Sequence, residues 1–298
     1  MNISNQELIT DYLIFYQHSP QSQKMRKTSL NYFFEPKYFG YNGHIFNIST
    51  KILKDYFVWL KNLNTINLTT RKNKWNILTS FLNYTMENYD SFLVKIPSKT
   101  ISWRGSNGKY FNKKIIATIE EIQAILNYYR LHNTKLYLIF RTFAETGMRK
   151  GELINAKLDE LYLDERYIKT KGKTDNVVYY ISESQAKLLR MYYTKRIKIN
   201  CKSNALFITN RLEQYGPRAF NLNLKYVLNK LKINKKITCQ VFRRTLNTLR
   251  KKMGCSNEDR KILLNHKIQD VNVEHYIILN RDEYLNLFDT YNPYKNLF

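Results

Sequence analysis

Residues 134–153 read TKLYLIFRTFAETGMRKGEL. The stretch up to Thr146 is apolar on nearly every side of a 3.6-residue repeat, which predicts a helix buried all round. Gly147 is its expected stop, because glycine adopts the left-handed conformation that closes a helix without steric cost. A second helix begins almost at once in KGEL, so Arg149 sits in a tight link between two helices. A turn has no packing use for a guanidinium. A rigid link beside unpaired backbone N–H groups can instead aim an arginine at a phosphate.

Working outward, Thr118 and Glu121 form a capping box, and Ile122, Ile125, Leu126 and Tyr129 give the helix that follows a buried stripe. Downstream, LYLD, RYIKT and VVYYIS read as short strands, the last two joined by the turn KGKTDN. Ser182 and Gln185 suggest another capping box, and the rest of the chain is mainly helical. Toward the N-terminus, STKILKDYFVWL offers Ser49 or Thr50 as cap and Leu53, Tyr56, Phe57 and Leu60 as its inward stripe. LTTRKNKWNILTSFL should start a further helix at Thr69 or Thr70, with Leu78, Phe81 and Leu82 inside. Its first turns carry Arg71, Lys72 and Lys74, which oppose the helix dipole and so suggest phosphate contacts outside the helix. Between these regions IPSKTISWRGSNGKYFNKK is basic, holds Pro97, Gly105 and Gly108, and lacks apolar periodicity. The expected fold class is mainly α with a small antiparallel β-sheet (α+β). A helical domain over 1–96 would be joined by a basic linker, 97–114, to a second domain over 115–298.

Composition narrows the partner. The 298 residues carry a net charge of +25, from 49 Lys and Arg against 24 Asp and Glu, and such a chain suits a polyanion. Cys201, Cys239 and Cys255 are scattered without metal-ligand spacing, and the five histidines are dispersed, so neither a zinc site nor a disulfide framework is expected. The polar start MNISNQELITDYL is unlike a signal peptide, and no apolar run reaches membrane length. A soluble, cytoplasmic, nucleoid-associated protein is the expectation.

Three separated segments now combine. TGMRKGEL resembles the first box of the tyrosine recombinase family, ITCQVFRRTLNT its second box, and LLNHKIQDVNVEHYI its histidine segment followed by the nucleophilic tyrosine. ALFITNRLEQYGPRAFNLNLKYVL matches the less specific segment before the second box, and the likeness runs from about 117 to 280. The resemblance implies a helical core DNA-binding domain followed by a catalytic domain. It implies Arg149 and Arg243 as the catalytic arginines, His266 as a hydrogen-bonding histidine and Tyr276 as the nucleophile, with Tyr284 a weaker rival. Two guanidiniums can neutralise a pentacoordinate phosphorane without a metal, so no cofactor is expected. Glu152 takes the place of the carboxylate that orients the site, the alternative being an exposed helix-start glutamate. The general-acid lysine lies in the hairpin: Lys171 is preferred, with Lys173 then touching DNA, as would Arg244.

The sequence also departs from the family pattern. Gln240 stands where a histidine is usual; it can donate a hydrogen bond but cannot exchange a proton near neutral pH. Gly151 replaces a serine, Asn265 replaces the glycine before His266, and the gap before Tyr276 is one residue longer than the familiar form. The implied activity is site-specific DNA recombination, as the integrase of a virus or mobile element, through a 3′-phosphotyrosyl intermediate. Double-stranded DNA, a homotetramer assembled on it and accessory DNA-bending proteins are the implied partners, with no membrane. A type IB topoisomerase and a DNA-binding relative that has lost catalysis are the alternatives. The C-terminal RDEYLNLFDTYNPY spaces Tyr284, Leu287, Phe288 and Tyr291 as a helix that either packs on its own domain or docks on a neighbouring protomer.

Overall fold

The computed structural model describes residues 3–15, 19–97, 102–103, 114–172, 175–266 and 280–297. The chain divides into two compact units, Met1–Asn112 and Lys113–Phe298. In the first, α1 (Asn5–Phe15), α2 (Pro20–Phe34), α3 (Thr50–Asn62) and α4 (Leu68–Asn88) enclose one aromatic-rich core. Ser49 caps α3 by accepting from the Ile52 N–H. Asn67 caps α4 by accepting from the Thr70 N–H, so this helix starts at Leu68, ahead of the two threonines expected to open it. Leu53, Tyr56, Phe57 and Leu60 meet Leu78, Phe81 and Leu82 as the spacing predicts. Trp103, in the segment expected as linker, packs edge-on against Phe57 at 4.6 Å; residues 98–101 and 104–113 of that segment lie outside the described residues.

The expected outward projection of Arg71 and Lys74 is corrected: each is only 5% exposed. Arg71 donates to the Lys61 carbonyl at the negative end of α3, a partner that the sequence around α4 does not reveal. Lys74 places its ammonium 3.1 Å from the centroid of the Tyr32 ring. Lys72 remains exposed.

In the second unit α5 (Ile119–His132) opens on the Thr118–Glu121 capping box. The central helix α6 (Thr134–Thr146) is buried at every position from Leu136 to Thr146 and packs against α5, α8 (Glu183–Arg196) and α10 (Cys239–Lys252). Its polar residues are used internally: Arg141 Nε lies 2.9 Å from Glu145 Oε1. Glu145 also crosses to α8 and accepts the Ser182 N–H at 3.1 Å. That carboxylate displaces the second half of the expected Ser182–Gln185 box, because a charged acceptor holds an N–H more strongly than an amide does. The Gln185 amide turns inward to Thr142 Oγ1 at 2.9 Å.

A short helix, α7 (Lys150–Asn155), leads into a three-stranded antiparallel sheet of β1 (Leu161–Tyr162), β2 (Tyr167–Lys171) and β3 (Asn176–Tyr180), in the order β1-β2-β3. Ile168 opposes Tyr179 and Thr170 opposes Val177, which sets β3's alternate residues toward the core. After α9 (Ala219–Lys230), α10 and α11 (Asn257–Leu263), the last helix α12 (Arg281–Thr290) lays Phe288, Tyr284 and Leu287 over Cys255 and Leu263 of the same chain. Arg166 grips Asp289 with both Nη atoms, at 2.9 and 2.7 Å. Among the described residues no helix is long and apolar enough to cross a membrane.

Candidate active site

Gly147 closes α6 at φ +66°, the left-handed region. Its backbone passes so near α10 and the end of α11 that a Cβ there would lie 2.8 Å from Leu264 Cδ2 and 3.1 Å from Leu246 Cδ2. This close approach lets the Gly147 carbonyl accept Arg243 Nη1 at 2.8 Å. Two residues on, Arg149 is the N-cap of α7, and Glu152 one turn later turns back to take its backbone N–H.

Glu152 is 3% exposed, so the exposed helix-start alternative is corrected. Its Oε1 accepts Arg149 Nη1 at 2.7 Å, and its Oε2 accepts the Tyr179 hydroxyl at 2.8 Å. The Tyr179 oxygen in turn accepts Arg243 Nη1 at 3.3 Å. Both arginines are therefore registered on one buried carboxylate, Arg149 directly and Arg243 through Tyr179. Arg243, on α10, is 3% exposed and also donates Nη2 to the Leu264 carbonyl. Burial lowers its pKa, yet a guanidinium remains charged. The Tyr179 phenol is pushed up to about 12, by burial first and then by Glu152, so it stays a neutral hydroxyl.

Asn265 adopts φ +48°, a conformation that asparagine tolerates nearly as glycine does, and its Nδ2 donates to the Val178 carbonyl at 2.8 Å. His266 follows, with its backbone N–H on the Lys261 carbonyl at 2.9 Å. Its imidazole is held below the usual histidine range by burial, and then by the Arg243 and Arg149 charges. Arg149, Glu152 and Arg243 thus join in one hydrogen-bonded chain through Tyr179, with the His266 imidazole near enough to feel both arginine charges. Such a surface can neutralise a phosphorane dianion.

The other sequence-derived residues fall at the edges. Lys171 ends β2, is exposed, and lines a groove of about 410 Å³ with Asn155, Lys157, Asn176 and Gln214. Gln240 is exposed one turn before Arg243, and its carbonyl accepts Arg244 Nε at 3.4 Å. Lys173 and Tyr276 lie outside the described residues. The rival Tyr284 is occupied in packing: it stacks on Tyr180 at 4.6 Å and donates to the Ile262 carbonyl at 2.7 Å, with burial raising its pKa. Tyr179 was not anticipated. The one available signal was the alternation in VVYYIS, which sets Val177, Tyr179 and Ile181 on the same inward face.

A model described as the phage integrase family matches residues 117–282, more than half of the chain. The chain belongs to the phage integrase family. One relative, a protein named tyrosine recombinase XerC from Caldanaerobacter subterraneus subsp. tengcongensis, is 26% identical over 203 residues, 67% of this chain. The match spans 56% of that relative's length. Among solved structures, XerH site-specific recombinase bound to palindromic difH substrate superposes with a TM-score of 0.68 at 18% identity, covering 98% of this chain and 82% of that one. Tn1549 transposon integrase in complex with transposon right end DNA gives 0.70 at 12% identity, covering 95% and 98%. A lambda integrase tetramer bound to a Holliday junction gives 0.65 at 11% identity, covering 94% and 81%. These likenesses establish the tyrosine recombinase fold for this integrase-family chain.

Proposed function

We propose that this protein is a site-specific DNA recombinase, the integrase of a virus or mobile element, acting on double-stranded DNA in the cytoplasm. The observation that carries the reading is the pair of arginines registered on the single buried carboxylate of Glu152. In this reading Arg149 and Arg243 bind the nonbridging oxygens of the scissile phosphate, with His266 donating a further hydrogen bond. The Tyr276 oxygen attacks phosphorus and forms a P–O bond to the 3′-phosphate as the bond to the 5′ oxygen breaks. The leaving oxygen takes a proton from Lys171, with Lys173 the alternative donor, and the tyrosine proton passes to solvent or a neighbouring base. Gln240 supplies a hydrogen bond but no proton. The covalent link conserves the phosphodiester's energy, so rejoining to a partner duplex reverses the step without a nucleotide cofactor. Lys72, Lys173 and Arg244 serve as DNA contacts outside the reacting centre. The first unit acts as a core DNA-binding domain, a tetramer assembles on DNA, and accessory DNA-bending proteins fit such an assembly.

Wild type and Tyr276→Phe incubated with nicked suicide duplexes from DNA flanking the gene should differ on denaturing gels. A covalent protein–DNA band is expected from wild type and none from Tyr276→Phe, with binding retained in both. Wild type that binds such duplexes tightly without forming the band, and that Gln240→His restores, would mark a chemically impaired relative. A band that survives in Tyr276→Phe sinks the assignment of the nucleophile.

A further inference from the structure

We propose that Tyr179 is a positioning residue that couples the two arginines, a role that rests on the recombinase reading above. The Arg243 guanidinium has five N–H donors. Nη1 spends both of its protons, on the Gly147 carbonyl at 2.8 Å and the Tyr179 oxygen at 3.3 Å. Nη2 gives one to the Leu264 carbonyl. Nε–H and the second Nη2 proton take no partner among the described residues, so these two donors are left for an anion.

Two backbone carbonyls alone do not link this arginine to its counterpart. Gly147 belongs to the turn below α7, and Leu264 to the segment leading to His266. The Tyr179 hydroxyl supplies the link. It accepts from Arg243 and donates its own proton to Glu152 Oε2 at 2.8 Å, and Glu152 Oε1 holds Arg149 Nη1 at 2.7 Å. The direction of every proton in this chain is fixed, because arginine can only donate and an ionised carboxylate can only accept.

The strut is itself held rigidly. Tyr179 is 1% exposed on β3, paired across from Ile168, and Thr170 on β2 donates to the Glu152 carbonyl at 2.8 Å. The sheet therefore fixes the separation of the two guanidiniums. Misplacing one of two phosphate-binding groups costs rate even when affinity is unchanged, because the pair must match the transition state more closely than the ground state.

Tyr179→Phe removes the hydroxyl and keeps the ring, so the full-length variant should still fold, with a melting temperature lower by about 2–8 °C. In single-turnover cleavage of a suicide duplex its rate should fall about tenfold, the worth of one hydrogen bond to a charged group, with the DNA Kd unchanged. Combined with Glu152→Gln, the loss should be less than additive, since both changes cut the same strut. A readout independent of cleavage is the hydrogen exchange of the Arg243 guanidinium by nitrogen-15 NMR. It should quicken in Tyr179→Phe while the fully buried Arg250 stays unchanged. Unaltered Arg243 exchange, or an unaltered cleavage rate, overturns the proposal, as does a rate loss that merely follows lost DNA binding. If wild type forms no covalent product on any duplex, the recombinase reading falls, and Arg243 exchange alone decides whether the strut exists.

Discussion

Gly147 shows how much a single position can control. It combines φ +66° with a Cβ direction that runs into Leu264 and Leu246. Gly147→Ala should destabilise the protein by about 2–4 kcal/mol, from left-handed strain plus overpacking, as read by chemical denaturation. Lys74 offers the opposite case. Burial depresses its pKa to about 8, with the ammonium held over the Tyr32 face. Between that value and the unfolded value near 10.5 the unfolded chain binds the extra proton, so this lysine makes stability rise with pH across that window. Lys74→Met should remove the rise and add about 1 kcal/mol at neutral pH, and an unchanged melting profile would falsify this account. His266, also depressed, works the same way lower down: its stability contribution is present above the unfolded pKa of 6.5 and is lost as pH falls through the folded value. Melts of wild type and His266→Gln should diverge only on that acidic side. At this scale the sequence made Arg149, Arg243, Glu152 and His266 legible, because the boxes are local and their order is fixed. Arg71 and Lys74 misled, since charge near a helix start says nothing about a neighbouring helix's carbonyl end or an aromatic face. Tyr179 was lost among 24 tyrosines, because its role depends on what lies across the sheet.

Elements were more readable than contacts between them. The all-round apolar pattern of α6 gave its burial, and Ser49, Thr118 and Gly147 marked helix ends because each acts through its own backbone neighbours. The Ser182 cap was half-read, since Glu145 arrives from 37 residues away. The C-terminal helix also needed the structure. Its apolar side suited either its own domain or a second protomer, and α12 lies on its own chain with Arg166 holding Asp289. Arg166 reaches that position from a turn at φ +60°, which places both Nη atoms toward α12. Asp289→Asn should speed amide exchange through residues 281–290 by about two- to fivefold and move the global melt little, because a part-exposed ion pair contributes about 0.5–1 kcal/mol. Exchange that is unaltered there would show the apolar contacts alone hold the helix.

For the molecule as a whole, if the recombinase reading holds, a net charge of +25 should make association with DNA steeply dependent on salt. Titrations from low to moderate salt should give a linear log–log plot. Lys72→Gln should flatten its slope by about 0.9, one released counterion, while Lys74→Met leaves it unchanged because that ammonium is spent on Tyr32. A flattening by Lys74→Met instead would mean that the helix face turns over on DNA. So cationic a chain also risks being drawn, molecule beside molecule, onto one polyanion, where open sheet margins meet at high local concentration. β3 is such a margin among the described residues, which place no fourth strand beyond it. The Asn265 amide already occupies the Val178 carbonyl there. A glycine at 265 could keep the same backbone turn yet would leave that carbonyl open to a stranger's N–H. The asparagine at the place of the family's glycine thus keeps one outward carbonyl of β3 paired within its own chain.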